Sequence, residues 1–154
     1  MAGFRVVTDY LDHIRTRAFH GGCTNVRQAI KYVKGQGRTK GVVLADALTF
    51  KAGGSLRLLE EVEIDADGHV SRNRYSYHYE RQDDAGTFFF RYDKNPATVR
   101  PIVHEECHLH VIRDEPRYKT HETCLEEVLD FILAHFYGQC PPDDNQQPDT
   151  RKTG

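Results

Sequence analysis

Two stretches of the chain carry apolar residues at helical spacing, and most of what lies between them alternates. Phe4, Val7, Leu11 and Ile14 predict a short amphipathic helix over about residues 4–17, which Gly21 and Gly22 interrupt. Leu125, Val128, Leu129, Ile132, Leu133 and Phe136 form a single stripe near the other end. Thr123 and Glu126 read as a capping box ahead of that stripe, and Gly138 stands where the helix would stop.

Between the helices the period is two. Val26, Gln28, Ile30 and Tyr32 alternate weakly and suggest a strand, followed by a basic turn over 34–41. Stronger strands are predicted over 42–50, 56–64, 69–81 and 87–93. A candidate fifth spans 107–112, after the loop containing Pro96 and Pro101. Ala52, Gly53 and Gly54 make a tight turn, and Asp67-Gly68 and Asp84-Ala85 mark further hairpins. The expected fold is α+β: an antiparallel meander sheet of four to five strands with N- and C-terminal helices packed on one face. One domain over 1–139 is expected, with 140–154 a disordered tail by its polar, proline-bearing composition.

Strand parity sorts residues onto faces. Val42, Leu44, Leu48 and Phe50 are expected on one face, with Phe50 opposite Leu56 and Leu48 opposite Leu58. The same register sets Asp46 opposite Glu60, either as solvated groups at an open rim, the preferred reading, or as a buried carboxylate pair. Tyr75 should face Glu60, with Tyr77 and Tyr79 beside Leu58 and Leu56. Tyr79 then meets Phe90, and Tyr77 meets Tyr92. The resulting wall of Tyr75, Tyr77, Tyr79, Phe88, Phe90 and Tyr92 suits core packing beneath the helices, with base stacking as the alternative. The other face receives His78 beside Arg91, with Asp93 next along. If Cys107, Leu109 and Val111 point to the core, His108 and His110 point outward and join that group.

Composition narrows the class. At 154 residues, 38% hydrophobic and 29% charged, the chain suits one globular domain with its own core. No run is long enough to span a membrane, and the N-terminus lacks the pattern of a secretion signal, so a cytoplasmic location is expected. Cys23, Cys107, Cys124 and Cys140 are too scattered for a zinc knuckle or a disulfide framework. The net charge of −2 argues against binding nucleic acid over the whole surface. The charge is uneven, however. Between Asp12 and Asp46 there is no acid, whereas Arg15, Arg17, Arg27, Lys31, Lys34, Arg38 and Lys40 all fall there. Arg27, Lys31, Lys34, Arg38 and Lys40 are the candidate RNA contacts.

The histidines admit three chemistries. The His108-Leu109-His110 spacing puts both imidazoles on one face of a strand, and His104 or Asp93 can supply a third metal ligand. Two histidines and an arginine also suffice for a metal-free phosphodiester site, one imidazole taking the 2′-hydroxyl proton and the other protonating the leaving oxygen. The third possibility is hydrogen bonding on a sheet face, with no chemistry.

The stretch RYSYHY from Arg74 to Tyr79, FRYD from Phe90 to Asp93, Pro96, His108 with His110, and LEEVLDFI from Leu125 together resemble the TumE family of prokaryotic toxin–antitoxin toxins. The resemblance covers residues 41–135, with an AGGS turn from Ala52 to Ser55 where the family has a DGS-type turn. Lys94 is inserted, and Ala97, Thr98, Cys107 and Leu109 stand where the family pattern has other residues. The resemblance implies a toxin that acts through RNA or translation and is neutralised by a small antitoxin, often of the helix-turn-helix type. The leading expectation is a metal-independent endoribonuclease without cofactor. His108 and His110 are its acid and base, Arg91 holds phosphate, and Asp93 and His78 orient them. A non-enzymatic toxin that binds a partner through its sheet face and a metal-dependent hydrolase using His104, His108 and His110 are the alternatives. An open sheet edge offers a route to a homodimer.

Overall fold

The computed structural model describes residues 3–84, 86–96, 106–111 and 117–137. Helix α1 (Val7–His20) and a short α2 (Val26–Ala29) precede seven strands. These are β1 (Lys31–Lys34), β2 (Lys40–Thr49), β3 (Ser55–Ile64), β4 (Val70–Asp83), β5 (Gly86–Lys94), β6 (Cys107–His110) and β7 (Arg117–Lys119). Helix α3 (Leu125–Ile132) follows and runs into a π-helical turn, Leu133–Tyr137. The strands lie in sequence order in a single sheet, β1 to β7, and every neighbouring pair is antiparallel. The meander is therefore as expected, but among the described residues it has seven strands rather than four or five. Val26 to Ala29 is a helical turn, not the start of a strand, and the ladder begins only at Lys31. Among the described residues no helix is long and apolar enough to cross a membrane.

Helix α1 starts three residues later than the periodicity suggests, because Val6 is extended and Phe4 packs back on the Tyr10 ring at 5.3 Å. It ends in a Schellman motif: the Cys23 N–H donates to the Ala18 carbonyl and the Gly22 N–H to that of Phe19, with Gly22 at φ 87°. The capping box expected at α3 does not form. Cys124 is the N-cap, the Thr123 hydroxyl donates to Glu127 at 2.7 Å, and Glu126 instead meets His13 of α1 at 2.6 Å. That contact links the two helices. Gly138 and the tail over 140–154 lie outside the described residues.

One face of the sheet and the inner stripes of α1 and α3 form one core. Tyr75, Tyr77, Tyr79 and Phe90 lie in it, with Tyr92 packed against it, so the aromatic wall is core and not a stacking platform. Phe88 is the exception: it sits 41% exposed against Phe136. Burying each tyrosine ring of this wall contributes about 1.5–3 kcal/mol by the area removed from water.

The register from β3 to β5 matches the sequence reading: Tyr75 faces Glu60, Tyr77 faces Leu58 and Tyr92, and Tyr79 faces Leu56 and Phe90. It does so in spite of a wider turn. Ile64 pairs with Val70, and an extra residue at Asn73 restores the expected pairing beyond it. Of the Asp84-Ala85 turn, Ala85 lies outside the described residues.

The register of β2 on β3 does not match. Leu48 pairs with Leu56 and Ala45 with Leu58, and Asp46 and Ala47 bulge out opposite Arg57. The bulge switches parity. Val43, Ala45, Leu48 and Phe50 face the core, while Val42 and Leu44 lie on the other side. Asp46 is therefore exposed and does not face Glu60, whose partner is Val43.

Glu60 itself is fully buried rather than solvated at a rim. It accepts the Tyr10 hydroxyl on Oε2 and the Tyr77 hydroxyl on Oε1, each at 2.5 Å. Arg72 Nε lies 3.5 Å from Oε1, and Arg72 Nη2 donates to the Tyr10 oxygen at 3.1 Å. Burial, and then the neighbouring carboxylate, hold both phenols well above their ordinary range. Sequence parity placed Glu60 on the apolar face but could not show that α1 delivers Tyr10 to cover it.

Candidate functional site

The face away from the helices carries the polar side chains of the central strands. Register places His78 opposite Arg91, Arg91 opposite His110, and Asp93 opposite His108. Three of the five expected residues converge on the carboxylate of a fourth, Asp93. Asp93 Oδ2 lies 2.7 Å from Arg91 Nε, 3.5 Å from His110 Nε2 and 3.8 Å from His108 Nε2. Its other oxygen accepts the Ser76 hydroxyl at 2.6 Å. Arg91 Nη2 is 3.2 Å from His110 Nε2. A guanidinium only donates, so in this contact His110 Nε2 is the acceptor. The two imidazoles meet edge to face at 4.9 Å.

His78 flanks this group without entering it. Its Nε2 is 3.7 Å from Glu80, and its ring stands edge-on to Phe89 at 4.6 Å. Burial, then the positive charges of Arg57 and Arg91, lower its pKa below the ordinary value. Burial and those charges thus favour its neutral form.

One expectation is overturned. His108 and His110 do not stand open to solvent: they are 3% and 0% exposed. Arg91, its side chain 31% exposed, is the most accessible member of the four. Ser76, which anchors Asp93, was missed by the sequence reading, although it lies two residues from His78 on the same face. Arg57 and Lys119 were missed too. Arg57 faces His78, and Lys119 faces His108 from a strand of three residues that gives no periodic signal.

The departures from the family pattern fall in two groups. Lys94 pairs with Glu122 at 3.1 Å, so the inserted charge is absorbed by an ion pair, and Cys107 is partly buried with a free thiol. Ala97, Thr98 and His104 lie outside the described residues. Asp93, His108 and His110 can hold a metal ion: one ligand atom from each lies within 4.8 Å of the others. Arg91 occupies the same approach, since its guanidinium faces both Asp93 Oδ2 and His110 Nε2.

The candidate RNA contacts are all exposed, but the fold divides them. Lys31 and Lys34 lie on β1, at the opposite edge of the sheet from β6 and β7. Both edge strands are short and begin and end on a cation, a pattern that discourages edge-to-edge pairing and so a homodimer of that kind. Arg38 and Lys40 follow in the turn to β2 and at its start. Arg27 lines a cleft of about 610 Å³ with Asp12, Arg15, Thr16, Phe19 and Val26 on the helical side. This cleft does not touch the histidine cluster.

A model of the family described as Toxin TumE matches residues 16–135, well over half of the chain. The match begins upstream of the sequence motifs and takes in the C-terminal end of α1 and the whole basic segment from Arg27 to Lys40. No curated protein and no solved structure matches the chain at a significant level.

Proposed function

The chain belongs to the TumE toxin family, and from that premise we propose that it is a metal-independent endoribonuclease that inhibits translation by cutting RNA. The observation that carries the proposal is the convergence of Arg91, His108 and His110 on one oxygen of Asp93. An arriving phosphodiester competes with Asp93 and His110 for the guanidinium, the most accessible of these groups. As Arg91 turns to the phosphate, His110 Nε2 is released to accept the proton of the 2′-hydroxyl. The O2′–P bond forms, the P–O5′ bond breaks, and His108 delivers a proton to the leaving oxygen. The products are a 2′,3′-cyclic phosphate and a 5′-hydroxyl end. Asp93, held by Ser76, keeps the imidazoles in place, and His78 supports Arg91 from the neighbouring strand. Lys31, Lys34, Arg38 and Lys40 draw the polyanion towards the sheet, and Arg27, on the helical side, adds only to the general positive field. The toxin family implies an antitoxin partner, and we expect a small helix-turn-helix protein in that role.

The test is cleavage of RNA by purified protein in the presence of chelator, with growth after induction followed in parallel. His108→Gln and His110→Gln are expected to lose about 10²–10⁴-fold in cleavage, the usual share of general acid–base catalysis, with unchanged circular dichroism. Full cleavage by the double variant refutes the acid–base assignment. Growth arrest with intact RNA points instead to a toxin that acts by binding. A second reading, a metal-dependent hydrolase, rests on the three ligand atoms of Asp93, His108 and His110. The guanidinium beside two of those atoms repels a cation, and loss of activity to chelator would be the result in favour of metal.

A further inference from the structure

One row of residues crosses all seven strands on the face that carries the histidines. Lys31 pairs with Leu44, Leu44 with Leu59, Leu59 with Ser76, Ser76 with Asp93, Asp93 with His108, and His108 with Lys119. The core and its helices lie on the other face. Six inter-strand steps make the row roughly 29 Å long. Lys31 and Lys119 at its ends are exposed, Leu44 and Leu59 between them are half-buried, and His108, next to Lys119, is buried. The adjacent row adds the exposed Arg57, opposite His78, and then Arg91. On the other side, Val42 lies on the same face as Leu44, and the exposed Glu61 faces Arg74, so that acid is met by a cation.

We propose that this row is a binding track for single-stranded RNA, laid across the strands from Lys31 to Lys119 with the scissile phosphate beside Arg91. The inference rests on the nuclease reading and gives its substrate class. A duplex shows only its charged backbone to a flat surface, and pressing phosphates onto Leu44 and Leu59 would strip their water without return. A single strand can turn its bases onto the leucines while its phosphates meet the cations at the ends and along the adjacent row. The apolar middle of the track is the discriminating feature, since a uniformly cationic face would accept either form.

The test measures fluorescence anisotropy with a labelled 2′-O-methyl RNA strand, which has no attacking hydroxyl, and with the same strand annealed to its complement. The strand is expected to bind roughly ten-fold tighter than the duplex, and Lys31→Ala, Lys119→Ala and Leu59→Asp are each expected to weaken it several-fold. Lys51→Ala, in the turn between β2 and β3, should change nothing. Equal binding of strand and duplex, or indifference to all three track substitutions, overturns the track. Cleavage of unmodified RNA is scored separately with the same proteins. RNA cut without dependence on the track leaves the nuclease reading standing alone. Track-dependent binding without cleavage keeps the track and removes the nuclease. Neither binding nor cleavage removes both.

Discussion

Replacing Glu60 by glutamine should cost more stability than any comparably small change on this face of the sheet. The carboxylate is fully buried and takes one phenol on each oxygen, Tyr10 and Tyr77, at 2.5 Å. Arg72, its side chain 16% exposed, has that carboxylate as its counter-charge at 3.5 Å. Glutamine keeps the volume and one acceptor oxygen. Its amide nitrogen, however, cannot accept from the second hydroxyl, and the charge that compensates Arg72 is gone. A hydrogen bond to a charged acceptor contributes about 1.5–3 kcal/mol. Losing one, weakening the other and stranding a cation leads to an expected loss of about 3–4 kcal/mol, within the range for breaking a buried pair. Tyr10→Phe and Tyr77→Phe each remove one donor and leave the ion pair, so each should cost about 1–2 kcal/mol. Urea unfolding of the three variants, read by circular dichroism, supplies the comparison. A Glu60→Gln loss below about 1 kcal/mol, or one smaller than that of Tyr10→Phe, would show that the network is solvated in solution and would refute the argument.

The same phenols set an alkaline limit. Their folded pKa values are raised by burial and by Glu60, so their contribution is complete below the unfolded value of about 10 and falls as pH rises towards the folded values. Stability followed by urea midpoint should decline above that pH in wild type and less steeply in the Tyr10→Phe/Tyr77→Phe double variant; equal slopes would contradict this. His78 has a lowered pKa through burial and the nearby arginines, so its contribution is present above about pH 6.5 and is lost as pH falls through the folded value. Its ring resonances in an NMR titration should move only at a pH below that ordinary value. Arg91→Lys keeps the charge but cannot span Asp93 Oδ2 and His110 Nε2 together. RNA cleavage should fall about 10²-fold with little loss of fold, and unchanged cleavage would remove the guanidinium from the mechanism. Ile132→Ala, at a fully buried position of α3, should cost about 2–5 kcal/mol in the same unfolding assay.

Much of the site was legible in the sequence because it depends on parity. Once Asp84-Ala85 is taken as a two-residue turn, the pairing of His78 with Arg91 and of Tyr79 with Phe90 follows by counting, and the ladder agrees. The same counting failed between β2 and β3. Nothing in Asp46-Ala47 announces a bulge, yet a single extra residue there moved Val43 and Ala45 to the core and Leu44 to the other face. The Lys31-to-Lys119 row was invisible for that reason. It needs Leu44 on the histidine face, and it ends on β7, which is too short to show a period. The burial of Glu60 was equally hidden, since its partners come from α1 and β4, far apart in the chain. The burial of His108 and His110 was also missed: alternation assigns a face but cannot tell whether that face is open.

Cleavage by two imidazoles and one guanidinium, as proposed, begins with proton transfer from the 2′-hydroxyl and so leaves a chemical signature on the RNA. The most direct measurement is the chemistry of the ends left when the purified protein acts on a defined RNA strand in chelator. The expected ends are a 2′,3′-cyclic phosphate and a 5′-hydroxyl, with no cleavage where the 2′-oxygen is methylated. Ends bearing a 5′-phosphate and a 3′-hydroxyl, or cleavage at methylated positions, would contradict it.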